Sequence, residues 1–296
     1  MNLKKSISPI RVMSSILSAR QLKSYAPKLP VYLEKKKYII KTADNFQELK
    51  QALKLRHDVF CEELLHKRKK SGLEMDRFDL RCDHLLVLEK SSGKIIGTYR
   101  LQSSLHSKHW YTATEFRMKQ IQNLPGNKLE LGRACVHRDF RTGLVISLLW
   151  EGIHAYMQAS NTKYMFGCSS VKTTNKEEIS RIYAYLKQQN HTSDEHNVRP
   201  KGRFKIIDLP LSDNPASDQC GGKEKWIEEG KIPPLLMSYL NAGAKVCGKP
   251  ALDKNFRCAD FLTLLEVSGL RERYDRKFRS PSTVGTNSDS PINILN

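Results

Sequence analysis

Apolar residues along this 296-residue chain change their period several times, and each change marks an element. Residues 38–41 read as a short strand. Asp44 is placed to cap a helix whose apolar positions Phe46, Leu49, Leu53, Phe60 and Leu64 recur at helical spacing. Residues 84–89 and 94–101 are strand-like runs, and Ser91-Ser92-Gly93 between them is a hairpin signal. A further strand is expected over 128–137, then a turn over 138–143. Val145, Leu149, Gly152, Ile153 and Tyr156 line one face of the next helix. Residues 164–169 form another short strand, after which Thr174 and Glu177 make a capping-box pair for a helix reaching about Gln189. Residues 191–231 are polar and loop-rich. The last folded piece begins at Pro233-Pro234, contains a helix ended by Gly243, and includes an apolar strand over 261–265. The pattern predicts an α/β (α+β) fold in one domain over 38–278, with a C-terminal subregion from about 232. A basic arm over 1–37 would precede it, and a loose tail rich in Ser, Pro, Asn and Gly over 279–296 would follow it.

Charge and cysteine content narrow the classes. Fifty Lys and Arg against 31 Asp and Glu give a net charge of +19, and residues 1–41 carry ten basic residues against the single Glu34. That arm suits an anionic membrane surface or an acidic partner. Arg11 and Arg20 leave too little room between them for the apolar region of a secretory signal. No apolar run reaches the roughly 20 residues of a spanning helix. Neither a zinc finger nor an aromatic RNA-binding signature accompanies the positive charge, so no nucleic-acid partner is expected. The seven cysteines are scattered and contain no CxxC pair, which fits a reducing compartment and no structural metal. The expected location is the cytoplasm, with the arm offering contact to the inner face of the membrane.

The motifs sharpen this picture. Arg56 and Phe60 lie in the first helix, followed by Glu74-Met75-Asp76-Arg77-Phe78-Asp79. Gly97-Thr98-Tyr99-Arg100-Leu101 occupies one strand and Glu130-Leu131-Gly132-Arg133 the next. In its order of hairpin, strand, basic turn, helix, strand and helix, the chain resembles the Gcn5-related N-acyltransferases. In these motifs it resembles the acyl-homoserine-lactone (autoinducer) synthases, although Gly132 stands where those synthases have Ser. Downstream, the stretches CDHLLV, LELGRACV, LLWEGIHAY, FGCSS and PPLLMSYLNAGAKVCGKPALDKNF are similar to the ornithine–acyl carrier protein N-acyltransferases, which begin ornithine-lipid synthesis. The resemblance implies a mixed, mostly antiparallel sheet flanked by helices. It also implies transfer of a long-chain, 3-hydroxylated acyl group to an amino-acid α-amine, with ornithine the leading acceptor. Lysine, glycine or a homoserine-lactone precursor are the alternative acceptors.

Aminolysis of a thioester needs a neutral amine, a positioned carbonyl and a stabilised oxyanion. Glu130 is the candidate base or amine anchor, alternatively a strand carboxylate paired with Arg133 or Arg100. Those two arginines are candidates for ordering the site and the acceptor carboxylate. Asp76, Asp79 and Asp83, with Arg56 nearby, would hold a cationic acceptor; the competing reading pairs them with Arg56, Arg77 or Arg100. On the donor side, acetyl-CoA enzymes of this fold carry a glycine-rich turn that wraps a pyrophosphate. Here the turn is Arg138-Asp139-Phe140-Arg141-Thr142-Gly143, with one glycine and two arginines. That suits the single phosphodiester of 4′-phosphopantetheine on an acidic acyl carrier protein, with no permanently bound cofactor. Backbone amides at Val136 and His137 would polarise the thioester carbonyl, and Ala134, Val136 and Phe166 would line the acyl chain.

Overall fold

The computed structural model describes residues 24–209 and 232–270. Its strands are β1 (Tyr32–Glu34), β2 (Tyr38–Thr42), β3 (Asp83–Glu89), β4 (Ile95–Ser103), β5 (Phe116–Arg117) and β6 (Asn127–Val136). They continue with β7 (Thr162–Val171), β8 (Thr192–Ser193), β9 (Arg199–Pro200), β10 (Lys245–Cys247), β11 (Ala251–Asp253) and β12 (Cys258–Glu266). The helices used below are α1 (Phe46–Arg56), α2 (Thr112–Glu115), α3 (Lys119–Asn123), α4 (Leu144–Ala159), α5 (Lys176–Gln188) and α6 (Pro234–Asn241). A mixed ten-stranded sheet has the order β1-β2-β3-β4-β6-β7-β12-β10-β8, with β11 paired to β12. Among the described residues no helix is long and apolar enough to cross a membrane.

Where one domain was expected over 38–278, the chain forms two compact units that interleave along the sequence. The described part of the first comprises residues 24–100, 133–139 and 145–156; that of the second comprises 101–132, 140–144, 157–209 and 232–270. β4 and β6 each contribute residues to both.

In the first unit, β2 pairs antiparallel with β1 and with β3. The expected start at residue 38 therefore moves back. Tyr25 is buried, the Lys28 and Leu29 amides bond the Asp83 carboxylate, and β1 is a sheet strand, all within the expected arm. The rest of that arm, and the tail over 279–296, lie outside the described residues. α1 buries Leu49, Ala52, Leu53 and Leu55 in the core of this unit. Its cap is Asn45, not Asp44. Asn45 has the extended backbone an N-cap needs, and its side-chain oxygen accepts the Gln47 and Glu48 amides at 2.9 and 3.2 Å. Glu48 reaches back to the Asp44 amide, while the Asp44 side chain turns to Lys41. The helix runs on into a π-helical stretch, His57–Leu64, a rare wide turn that the apolar spacing did not reveal. Gly152 lets α4 pack close, since a Cβ there would meet Ile40 Cγ2 at 2.6 Å and Leu85 Cδ1 at 2.8 Å.

In the second unit, β6 and β7 run parallel, and their paired register ends at Glu130 opposite Phe166 although both strands continue. At Gly167 the strands approach so closely that a Cβ would lie 2.2 Å from the Leu131 carbonyl oxygen. β12 pairs antiparallel with β7 along its length. Alternation along β12 sorts its side chains. Ala259 and Phe261 pack with Ile179, Ile182 and Leu236 of α5 and α6, whereas Leu262 and Leu264 pack with Trp110, Phe116 and Phe166. Asp260 shares the parity of Leu262 and Leu264. α5 is capped one residue later than expected: Asn175 accepts the Glu178 amide at 2.8 Å, and the Thr173 hydroxyl donates to the Glu178 carboxylate. α6 starts at Pro234 in its first turn, and Gly243 beyond its end has a φ of +105°, as a left-handed helix exit requires.

Candidate active site

The acidic motif and the two strand arginines meet in the first unit. Arg56, the last residue of α1, is wholly buried and splays its guanidinium between two carboxylates. Nε donates to Glu74 at 2.7 Å and Nη1 to Asp79 at 2.6 Å, with Nη2 also on Glu74. Arg100 on β4 donates from Nη1 to Asp76 at 2.7 Å and to Asp79 at 3.1 Å, and its guanidinium lies 5.7 Å from the Phe78 ring centre. Arg133 on β6 donates to Asp76 at 3.1 Å and stands 3.6 Å from Glu74. Its φ of +52° turns the strand backbone left-handed at this point, a strain of about 1–3 kcal/mol that this ion pairing helps to hold. Three guanidiniums thus face three carboxylates. Burial pushes the Asp79 carboxyl up, but Arg56 and Arg100 more than reverse it and hold it well below the usual carboxylate range. Asp76 is lowered in the same way, with burial opposed by Arg100 and Arg133. The arginine pairing read from the sequence is therefore present through Arg56 and Arg100, while Arg77 stacks 5.1 Å from the Phe78 ring. Glu74, buried and bridging Arg56 to Arg133, was visible in the motif but was not singled out.

Asp83 does not join this network through its side chain. Its oxygens accept the Lys28 and Leu29 amides at 2.7 and 3.1 Å and the Tyr156 hydroxyl at 2.8 Å. The adjacent His84 is completely buried, and its Nε2–H donates to the Asp79 carbonyl at 2.9 Å. Burial pushes this imidazole down to about 4, with the Asp79 charge opposing. It is neutral at physiological pH.

Glu130 lies in the second unit, and its carboxylate is occupied by backbone. Oε2 accepts the Tyr111 amide at 2.9 Å and Oε1 the Thr112 amide at 2.6 Å, so the side chain holds the start of α2. Four residues on, Glu115 ends α2 beside Asp253 of β11 and Asp260 of β12. One carboxylate oxygen from each of these three buried acids lies within 4.8 Å of the others. Burial, then the charge and hydrogen bond of Asp260, push the Glu115 carboxyl up to about 9. No sequence motif marks this grouping, because its members come from three separate segments. A second grouping with ligand-like spacing, His57, Asp58 and Glu62, lies on the π-helical stretch.

On the turn over 138–143, expected to meet the donor, Arg138 and Thr142 are exposed, Arg138 stands 3.9 Å from Glu63, and Gly143 has a φ of +82°. Arg141 is also exposed. The His137 amide does not match the expected carbonyl-polarising role, because it donates to the Ile96 carbonyl at 2.8 Å. Phe166, expected along the acyl chain, packs edge-on against Trp110 with ring centres 5.1 Å apart. At Gly132 a Cβ would meet nothing within 4 Å, so space does not exclude the serine found there in the autoinducer synthases.

A parallel β6–β7 pair whose register stops partway, with a helix between the two strands, is the frame of an N-acyltransferase, and the family model of the acetyltransferase (GNAT) domain matches residues 55–151. The protein is an acyltransferase of that class. An L-ornithine N(alpha)-acyltransferase of Rhizobium meliloti is 31% identical over 247 residues, covering 77% of this chain and 79% of its own. One of Agrobacterium fabrum is 30% identical over 250 residues, covering 78% and 82%. The chain belongs to the L-ornithine N(alpha)-acyltransferase family. Among solved structures it is similar to a CoA-dependent acyl-homoserine lactone synthase, BjaI, at 15% identity and a TM-score of 0.43, covering 83% of this chain and 89% of that one.

Proposed function

We propose that the protein transfers a long-chain, 3-hydroxylated acyl group from the phosphopantetheine thioester of acyl carrier protein to the α-amine of ornithine. The ammonium first loses one proton to solvent, the neutral amine nitrogen attacks the thioester carbon, the C–S bond breaks, and a second N–H proton passes to the departing carrier thiolate, which leaves as the thiol. The observation that carries this reading is the similarity to ornithine acyltransferases over about four-fifths of each chain. The arginine-bearing, glycine-poor turn supports the carrier-protein donor: Arg138 and Arg141 suit an acidic protein surface, and one glycine suits a single phosphodiester. An α-amine with a pKa near 8 is about one-tenth neutral at pH 7, so a strong base is not required. With both oxygens taken by backbone amides, Glu130 serves in this reading to position the Tyr111–Glu115 turn.

Mass spectrometry of the products from purified protein, ornithine and either 3-hydroxyacyl carrier protein or the matching acyl-CoA tests the proposal. Nα-acyl-ornithine should form, at least tenfold faster from the carrier protein, and Arg138→Glu with Arg141→Glu should erode that preference. Equal rates from both donors, unmoved by the charge reversals, remove the carrier-protein assignment. Absence of acyl-ornithine from either donor removes the reaction itself.

A further inference from the structure

The two buried acidic groups described above differ in one respect that bears on substrate choice. Glu74, Asp76 and Asp79 are matched by Arg56, Arg100 and Arg133. Glu115, Asp253 and Asp260 are buried too, yet among the described residues no lysine, arginine or histidine nitrogen stands within ion-pair distance of Glu115 or Asp253. Tyr111 and Asp260 hydrogen-bond the Glu115 side chain, and several neutral groups also touch the trio. The Ser170 hydroxyl donates to Asp260, the Cys258 thiol lies 3.7 Å from the same Asp260 oxygen, and the Cys168 thiol lies 3.7 Å from Glu115 Oε2. Asp253 Oδ1 accepts the Asn255 and Phe256 amides. Glu115 Oε1 is fully enclosed and has no hydrogen-bond partner. A buried carboxyl oxygen without a donor is costly, and a ligand that brings the missing hydrogen would relieve that cost.

We propose that Glu115, Asp253 and Asp260 form the seat for the side-chain ammonium of the diamino-acid acceptor. The proposal rests on the reading of the reaction as acylation of ornithine's α-amine, and adds how the distal amine is recognised. Three atoms no more than 4.8 Å apart share a point within about 2.8 Å of each, which is the length of a charge-assisted N–H···O bond. An ammonium has three N–H donors and no acceptor, one for each carboxylate. Calcium would ask for six to eight oxygen ligands and magnesium for a near-octahedral shell, more than one oxygen from each of three acids supplies. Charge also fits. Without a cation Glu115 keeps its proton to about pH 9, chiefly through burial, and the arriving ammonium takes that proton's place. The groups facing Glu115 are Asp260 of β12, Asp253 of β11, Cys168 of β7 and Tyr111 of its own turn, while Cys258 and Ser170 contact Asp260. The seat is held from behind: Glu130 fixes the N-terminus of α2, and the Glu115 carbonyl accepts the Lys201 amide at 2.6 Å.

The test compares ornithine with norvaline, which keeps the α-amine and the carbon chain and lacks only the distal amine. Wild-type protein should prefer ornithine at least a hundredfold in kcat/KM. Asp260→Asn and Glu115→Gln should lower that preference at least tenfold through the ornithine KM, leaving norvaline within about threefold. Calorimetry on the unmodified protein in two buffers of different ionisation enthalpy provides a reading that does not depend on a variant folding. Ornithine should release protons near pH 7.5 and norvaline should not. Parallel losses with both acceptors, or a preference that survives both substitutions, overturn the assignment. So does ornithine binding without proton release. Magnesium or calcium restoring the melting temperature of chelator-treated protein, with preference unchanged in the variants, would make the trio a metal seat and overturn it equally. Wild-type protein that acylates neither amino acid would instead defeat the proposed reaction.

Discussion

Asp79 touches two guanidiniums, so its removal leaves Arg56 and Arg100 with surplus buried charge. Asp79→Asn should cost about 3–5 kcal/mol of unfolding free energy in urea titrations, the range for breaking a buried pair from one side. Arg56→Lys keeps the charge but loses the fork between Glu74 and Asp79, and should also destabilise, by less. His84 gives a different signature. Its folded-state value near 4 lies below the ordinary 6.5, so the unfolded chain takes up the proton first as pH falls. Stability from the neutral buried ring is present above pH 6.5 and is lost between 6.5 and 4, by about 3 kcal/mol in all. Melting temperatures of wild type and His84→Gln across that window check this, and the variant should show the shallower slope. At this scale the sequence displayed the members of the arginine–carboxylate network, because Glu74, Asp76 and Asp79 fall in one short motif. It could not show that Asp83 serves the Tyr25–Leu29 segment, since Asp83 looks equivalent to its neighbours until the backbone turns it toward Lys28.

At the scale of elements, Glu130 is a strand residue that organises a helix. Glu130→Gln exchanges one acceptor oxygen for an NH2 group that faces a backbone N–H, leaving one amide of Tyr111 or Thr112 unpaired. The expected result is a loss of about 1–3 kcal/mol in stability, a raised ornithine KM and a kcat within tenfold of wild type. A stable variant with kcat reduced 10²–10⁴-fold, and no acidic limb in its pH profile, would make Glu130 the base instead. The strands and long helices were legible because their periodicity is sustained: β3, β4, β6, β7, α4 and α5 lie where alternation or helical spacing put them. Both helix caps shifted by one residue because Asp44-Asn45 and Thr174-Asn175 each offer two adjacent side chains able to cap. Only backbone conformation selects between them. The short elements between Ser103 and Asn127 escaped notice because α2 and α3 are too brief to show a period, and their order comes from Glu130 and the Trp110–Phe116 core.

For the whole molecule, the excess positive charge and its concentration in residues 1–41 suggest binding to anionic membrane surfaces. Each engaged Lys or Arg contributes about 1 kcal/mol there. Tyr25, Lys28 and Leu29 belong to the folded unit, so the informative truncation begins at Ser24. Co-sedimentation with phosphatidylserine vesicles should fall at least fivefold without residues 1–23, and equal binding at low and moderate salt would reduce the segment to a leader. The sequence announced one domain because nothing in its composition marks an internal boundary. The two units alternate along the chain, and β4 and β6 belong to both, so no linker separates them. That interleaving bears on how the protein can be dissected. A protease cut between the units would have to sever paired strands, and neither half could be expressed as a contiguous gene fragment. Thermal denaturation followed by far-ultraviolet circular dichroism and by tryptophan fluorescence should accordingly trace one coincident transition, with Trp150 placed in the first unit and Trp110 in the second.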